Sequence, residues 1–475
     1  MILTTDTPRT TQTPAQFNAS YVWTISIVAA MGGLLFGYDW IVISGTDLFY
    51  EAHFHLTSSL EIGWAKSSAL LGCLIGALAA GALSDRFGRK RLLAMSALLF
   101  VVSSVATGLA GSFTVFVLWR IAGGAAIGLA SNLSPMYIAE VAPAETRGRL
   151  VSLNQLTIVL GILLAQLVNW RIGSLHPLPD QPTPEQIAAS WSGQVGWRWM
   201  FGVTAAPSLL FLIGMFLVPE SPRWLAKNGK PEQARAILAK IGGSNYANAA
   251  LADIEATLVN EIQKVNFRDL LEPKLKRMLF LGIALAVLQQ WCGINVIFYY
   301  AKDVFKDSGF KVADILINIV FIGSVNLLAV LVALKTVDRW GRRPLMLFGY
   351  AGLAVLFVIL GLCFSLKSHG PHMLALVLAA IAIYAMSLAP ITWVLISEIF
   401  PNRIRGGAMS VAVTSLWIAC FLLTETFPVM REHLGPAVPF WIYAGICLFG
   451  FLLFRARLPE TKGKTLEEIE KELVD

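Results

Sequence analysis

The sequence predicts an all-α membrane protein: twelve transmembrane helices in two pseudo-symmetric six-helix bundles, with the N- and C-termini cytoplasmic. Three observations predict it. Of 475 residues, 56% are hydrophobic and only 14% are charged, where a soluble domain carries about a quarter charged residues. Twelve apolar runs are each long enough to cross a bilayer core. Charged motifs recur in the same order in the two halves of the chain, the mark of a parallel repeat with a pathway between its halves.

The first 20 residues are polar and Thr-rich. They lack the basic and apolar regions of a signal peptide, so they are expected to form a cytoplasmic tail that is not cleaved. Apolar runs follow near 21–45, 62–83, 92–112, 114–138, 150–172 and 199–218, giving a first bundle over 21–219. Four prolines within 173–196 mark a long external loop, with a short helix expected around Pro184–Ser190. Residues 220–277 form a cytoplasmic helical linker. Ser221-Pro222 reads as an N-cap followed by proline at the first helical position. Glu232–Ile241 and Ala247–Lys264 show helical spacing, with Gly242-Gly243 as the break. Apolar runs resume near 278–300, 312–334, 344–366, 372–397, 407–430 and 437–455. They build a second bundle over 278–457, and residues 458–475 form a cytoplasmic tail.

Basic residues fix the orientation. Arg86, Arg89, Lys90 and Arg91 follow the second span, Arg147 and Arg149 the fourth, Arg339, Arg342 and Arg343 the eighth, and Arg403 and Arg405 the tenth. The expected loop at 46–61 carries Asp47, Glu51 and Glu61 and no Lys or Arg. The positive-inside rule then places both termini in the cytoplasm. Lys302, Lys306 and Lys311 after the seventh span weakly oppose this, offset by Asp303 and Asp307.

The repeat is explicit. Asp85-Arg86-Phe87-Gly88-Arg89-Lys90 matches Asp338-Arg339-Trp340-Gly341-Arg342-Arg343. Glu140-x-x-Pro143-x-x-x-Arg147-Gly148 matches Glu398-x-x-Pro401-x-x-x-Arg405-Gly406. Pro219-Glu220-Ser221 loosely matches Pro459-Glu460-Thr461.

The most polar stretch at membrane depth is Gln289-Gln290-Trp291-Cys292-Gly293-Ile294-Asn295, running on to Tyr299-Tyr300. Polar groups there are costly without partners and mark a site. Amides and hydroxyls both donate and accept, which suits an uncharged, hydroxyl-rich ligand. On a straight helix Asn295 falls about 120° from Gln289. A break at Gly293 lets both face one ligand; interhelical amide bonding is the alternative. Asp39 in the first span has no basic neighbour in sequence, and Arg120 in the fourth is an equally costly cation and its natural partner.

These motifs resemble the sugar porter family of the major facilitator superfamily over about residues 30–466. The resemblance rests on Gly33-x-x-Phe36-Gly37-Tyr38-Asp39, the paired Asp-Arg-x-Gly-Arg loops, Arg120-x-x-Gly123-Gly124 and Pro135-x-Tyr137-x-x-Glu140. It continues through Pro219-Glu-Ser-Pro-Arg-Trp-Leu225, Gln289-Gln290-x-x-Gly293-x-Asn295, Pro390-x-x-Trp393-x-x-x-Ser397-Glu398 and Pro459-Glu-Thr-Lys-Gly463. It is strongest towards bacterial proton-coupled pentose and hexose symporters. The resemblance implies the major facilitator fold and proton-coupled symport of a monosaccharide, xylose-like or glucose-like, by alternating access across the cell's inner membrane. It implies sugar contacts from Gln155, Gln289, Gln290, Asn295, Tyr299, Asn326 and Trp393, and Asp39 with Arg120 as the proton-coupling pair. Members that carry sugar without protons have Asn at the Asp39 position. A cytoplasmic gate is implied from Asp85, Arg86, Arg89, Glu140, Arg147, Asp338, Arg339, Arg342, Glu398 and Arg405. Two positions depart from the pattern: Ala389 stands where Gly precedes the proline, and Leu416 stands where most relatives carry an amide. They bear on which sugar is carried.

Other classes fit less well. The charge of +7 is modest and has no nucleic-acid footprint. There is no nucleotide-binding glycine loop, catalytic triad or metal cluster in the sequence, so no enzyme activity, cofactor or metal is expected and an ion or solute gradient supplies the energy. Cys73, Cys292, Cys363, Cys420 and Cys447 read as small buried side chains, and His53 and His55 as a solvated loop pair. The expected partners are sugar, protons and membrane lipid, with the chain acting as a monomer. A facilitative uniporter or inositol/polyol carrier of the same fold, and a sugar-sensing receptor, are the alternatives.

Overall fold

The computed structural model describes residues 17–179, 182–260, 273–400, 405–462 and 464. Among these, helices dominate and no strand occurs. Twelve helices are long and apolar enough to cross a membrane: α1 Ala19–His53, α2 Ser59–Phe87, α3 Arg89–Gly108, α4 Phe113–Val141, α5 Ala144–Gly173, α6 Ser192–Leu217, α7 Leu275–Tyr299, α8 Asp314–Thr336, α9 Arg342–Ser365, α10 Pro371–Glu398, α11 Gly407–Leu434 and α12 Ala437–Arg457. Helices are the expected solution, because a bilayer interior offers the backbone no outside partners.

Within the first six spans, α1 packs on α5 and α4, and α2 on α4; the two halves meet where α2 lies against α11 and α5 against α8. These two contacts are related by exchanging the halves, as a parallel repeat requires.

The first two helices are longer than their apolar runs. Asp47 and Glu51, expected in a loop over 46–61, are helical, and the connection shrinks to residues 54–58. The reason is pairing: Asp47 meets Lys66 at 2.7 Å and Glu51 meets Lys302, so the helix continues through its charges. His53 also differs from the expected solvated pair. It ends α1 with its ring 5.4 Å from Trp197 and its Nε2 3.1 Å from Arg198 Nη2, while His55 is exposed. Of the five cysteines, all but the half-buried Cys363 are buried.

Between the halves, Ser221 accepts from Trp224 N and caps the helix Pro222–Lys227. The helix Pro231–Asn260 is broken at Gly242-Gly243, where Gly243 has φ +80°. The linker sits on the first half: Trp224 Nε1 donates to the Asp85 carbonyl, Lys227 pairs with Asp85, and Asn18 N donates to the Ile241 carbonyl. The remainder of the expected helix to Lys264 falls outside the described residues. A short helix, Pro184–Ala189, forms with a capping box from Thr183 and Gln186.

The repeated motifs assemble one clasp per half. The Asp-Arg-x-Gly turns use Gly88 (φ +93°) and Gly341 (φ +90°), a region a Cβ disfavours. Glu220 then accepts from Arg89 N at 2.9 Å and Lys90 N at 3.0 Å, capping the start of α3. Glu460 repeats this at α9 with Arg342 N at 3.0 Å and Arg343 N at 3.1 Å. A carboxylate suits such a site because it satisfies orphan N–H groups and complements the helix dipole. A Cβ at Gly88 would stand 2.3 Å from Glu220 Oε2. Gly88→Ala is therefore expected to destabilise the solubilised protein by about 1–3 kcal/mol through strain and a displaced cap. Gly81, whose Cβ direction is open, supplies the control. Thermal unfolding in detergent checks this: equal melting shifts for the two alanine variants would contradict the clasp.

Candidate functional site

The polar stretch of α7 is broken where the sequence places its glycine. The helix Pro273–Trp291 stops, Gly293 adopts φ +89°, and a short helix Ile294–Tyr299 resumes. Only glycine is comfortable there: φ is left-handed, and a Cβ would lie 2.6 Å from the Tyr443 ring. The break turns the amides towards one another. Gln289 Nε2 donates to Tyr384 Oη of α10 at 2.6 Å, Gln290 Nε2 donates to Gln289 Oε1 at 2.5 Å, and Asn295 Nδ2 donates to Gln290 Oε1 at 2.5 Å. All three amides are buried. The result is a continuous polar chain crossing the break, rich in groups that exchange partners with hydroxyls.

The remaining candidates lie on neighbouring helices. Gln155 is half-buried on α5. Gln166, three turns further along the same face, packs against Gly323 of α8, so this face of α5 turns to the second half. Asn326 is buried on α8 and Tyr299 is buried at the end of α7. Trp393 lies on α10, 40% exposed, and makes no hydrogen bond to the amide chain among the described residues. Leu416 is buried on α11 beside Trp417, whose ring lies 6.2 Å from Phe36 of α1.

Asp39 and Arg120 form a buried ion pair. Arg120 Nη1 is 3.0 Å from Asp39 Oδ1, and Nη2 donates to the Asp39 carbonyl at 3.3 Å. Asp39 Oδ2 has no hydrogen-bond donor among the described residues. Gly123 lets α4 come close here, since a Cβ would sit 3.3 Å from that oxygen; at Gly124 a Cβ would sit 1.9 Å from the Ala69 carbonyl of α2. The guanidinium also lies 5.3 Å from the Phe201 ring centre. The next residue, Trp40, faces the other half, 5.1 Å from Tyr299 and 5.6 Å from Phe298 by ring centres. Two consecutive residues of α1 therefore touch the ion pair and the amide-bearing segment.

The charged motif face pairs within each half. Arg89 binds Glu140 through Nε and Nη2, each at 3.0 Å, and Asp85 at 3.3 Å. Arg342 reaches Glu398 at 3.4 Å, and Thr461 Oγ1 donates to the same carboxylate at 2.6 Å. Arg86, Arg147 and Arg339 are exposed. The side chains of Asp338 and Arg405 fall outside those described.

Charges bridge the halves at the opposite face, which the motif reading left unassigned. Lys302 pairs with Glu51 across the halves, with Lys66–Asp303 and Lys302–Asp47 each at 3.9 Å. Lys66 of α2 also pairs with Asp47 within the first half, and Arg431 of α11 with Asp307 at 2.7 Å and Asp303 at 3.4 Å within the second. Burial alone pushes the Lys302 pKa down, but Asp47, Glu51 and Asp303 raise it well above the usual lysine range. Burial opposes the charge of Asp303, while Lys302, Lys66 and Arg431 hold it below the usual carboxylate value. Both stay ionised at neutral pH. Ser67 of α2 also donates to Glu425 of α11 at 2.5 Å. The signal for these residues was Lys66 itself, a lysine inside an apolar run.

Known proteins share this sequence and fold. A family model described as sugar (and other) transporter matches residues 25–473. The D-xylose-proton symporter of Escherichia coli (strain K12) is 40% identical over 486 residues, covering 96% of each chain. The glucose transport protein of Synechocystis sp. is 39% identical over 476 residues, covering 97% of this chain and 100% of its own. The solved partially occluded inward open conformation of the E. coli xylose transporter XylE superposes with a TM-score of 0.82 at 38% identity, over 94% of this chain and 100% of that one. With twelve apolar helices in the arrangement of that transporter, this multi-pass membrane protein belongs to the sugar (and other) transporter family.

Proposed function

We propose that the protein is a proton-coupled monosaccharide symporter of the cell's inner membrane, working by alternating access with its motif-bearing face and both termini in the cytoplasm. The observation that carries the reading is the buried Asp39–Arg120 pair set one residue from Trp40, which packs on the amide-bearing segment of α7. An acid at this depth is what a proton-driven carrier needs. The similar proteins support the class, being named for xylose-proton symport and glucose transport.

In this reading the sugar binds between the halves. Gln289, Gln290 and Asn295 exchange part of their mutual bonding for sugar hydroxyls. Gln155 and Asn326 contribute from α5 and α8. Tyr299 closes one end, and Trp393 offers its ring to the C–H side of the sugar. A proton adds to Asp39 Oδ2, the oxygen without a donor among the described residues. Neutralising the carboxylate removes the Coulombic hold on Arg120, and α1 with Trp40 then moves relative to α7. Loss of the proton to the cytoplasm restores the pair. Arg89, Glu140, Arg342 and Glu398, with Asp85, Asp338, Arg86, Arg147, Arg339 and Arg405 around them, form the cytoplasmic gate. Here the described pairs stay within each half while the far face is bridged, as befits a carrier shut towards the outside.

Purified protein in liposomes tests this. An inward proton gradient is expected to drive uptake of labelled D-xylose or D-glucose above equilibrium, and competing pentoses, hexoses and inositols rank the sugars. Uptake indifferent to the gradient indicates a uniporter; no protein-dependent sugar flux overturns the reading.

A further inference from the structure

Lys66 lies on α2, buried, with its ammonium group inside the helix bundle. Desolvating an ammonium is costly unless it is paired and fully hydrogen-bonded. Its partners come from both halves. Asp47 of α1 lies at 2.7 Å, and Glu51 of α1 and Asp303 of the helix Ala301–Asp307 lie at 4.0 and 3.9 Å. The Tyr300 ring centre is 4.0 Å away. The decisive contact is a hydrogen bond at 3.0 Å from Lys66 Nζ to the Tyr299 carbonyl.

That carbonyl ends the short helix Ile294–Tyr299, which carries Asn295 and Tyr299. The chain leaves helical geometry at Tyr300, with φ −120°, so the last carbonyls of this segment lack helical partners. A cation at a helix C-terminus satisfies them and complements the helix dipole. Around this contact three cations, Lys66, Lys302 and Arg431, face four carboxylates, Asp47, Glu51, Asp303 and Asp307. Lys302–Glu51 and Lys66–Tyr299 both join the first half to the second. Beyond them a cavity of about 420 Å³ opens, lined by Thr57 and Ser59 of the first half and Asp307, Arg431 and Glu432 of the second.

We propose that Lys66 is a positioning residue for transport: by binding the Tyr299 carbonyl it holds the sugar-facing half-helix of α7 against the first half, closing the outer face. Asp47, 2.7 Å away, keeps the ammonium aimed, and Lys302–Glu51 extends the same closure. The outer opening step must break the Lys66–Tyr299 bond. This inference rests on the alternating-access reading above but not on which ion drives the cycle.

The test reads conformation directly. Nitroxide labels at Thr57→Cys and Glu432→Cys, both exposed and on opposite halves, report the width of the outer face by electron–electron distance measurement in nanodiscs. In the unsubstituted background the short distance is expected to dominate. Lys66→Met is expected to shift the short-to-long ratio about 10- to 100-fold towards long, the equivalent of one charge-assisted hydrogen bond, and Lys66→Arg to restore much of the short population. Sugar counterflow through Lys66→Met is expected to lose turnover rate more than external KM. If Lys66→Met folds poorly, the Lys66→Met/Asp47→Asn double variant removes the pair together and leaves no orphaned charge; the same shift is expected. An unchanged distance distribution in the folded variant overturns the proposal, as does a shift that Lys66→Arg does not reverse. Absence of sugar flux in the parent protein would instead overturn the transport reading, leaving the distance result to stand alone.

Discussion

Asp39→Asn is expected to abolish uphill sugar accumulation while leaving exchange of sugar across the membrane intact. One proton per sugar moving down 100 mV supplies about 2.3 kcal/mol, enough for roughly 50-fold accumulation; in the variant the ratio should fall to about one. The amide is nearly isosteric and can still accept from Arg120 Nη1, which reaches Asp39 Oδ1 at 3.0 Å in the parent protein. It cannot take up and release a proton. Geometry is thus kept while titration is lost, the separation the test requires. Uptake of labelled sugar into energised vesicles, beside counterflow in de-energised ones, reads both terms. Undiminished accumulation in the asparagine variant would remove Asp39 from the coupling step and return the chain to the uniporter reading or to another acid.

Gln290→Leu is expected to raise the KM for sugar about 10- to 100-fold. Gln290 is the middle member of the amide chain, donating to Gln289 Oε1 and accepting from Asn295 Nδ2. Leucine keeps the bulk and removes both functions, leaving two buried polar atoms short of a partner at a cost of about 1–3 kcal/mol each. Counterflow KM measures the effect. A variant that loses thermal stability but keeps its KM would identify the amides as interhelical bonding, the alternative their placement in a helix always carries.

How legible was this in the sequence? The spans were, because apolar runs of bilayer length have few other uses. The break in α7 was also legible, because a glycine flanked by polar residues at membrane depth has few structural roles, and Gly293 takes the left-handed conformation that frees the amides to meet. The clasps were only half legible: the motif repeats showed Glu220 and Glu460 as matched positions, but not that each caps the helix after a positive-φ glycine. Of the bridging charges only Lys66 stood out, as a lysine in an apolar run; its partners were not legible. Lys66 and the Tyr299 carbonyl are 233 residues apart, and Ser67 and Glu425 are 358 apart. Periodicity reports a helix's own face and says nothing about which distant helix will neutralise a charge on it. For that reason Asp47 and Glu51 read as loop residues, and α1 ran further than its apolar stretch implied. His53 followed the same error, since extending α1 carried it onto Trp197.

The two carboxylate clasps bear on the mechanics of the cycle. Glu220 ties the start of the linker to α3, and Trp224 and Lys227 tie it to the end of α2. Glu460, Thr461 and Lys462 tie the C-terminal segment to α9, α10 and the Arg339 carbonyl beyond α8 in the same manner. Each of these bonds among the described residues therefore joins its segment to its own half. The described start of the linker is thereby pinned to the first half. In the alternating-access reading, rocking of the halves leaves these bonds unstrained, and the bonds exchanged lie where α2 meets α11, α5 meets α8 and α1 meets the broken end of α7.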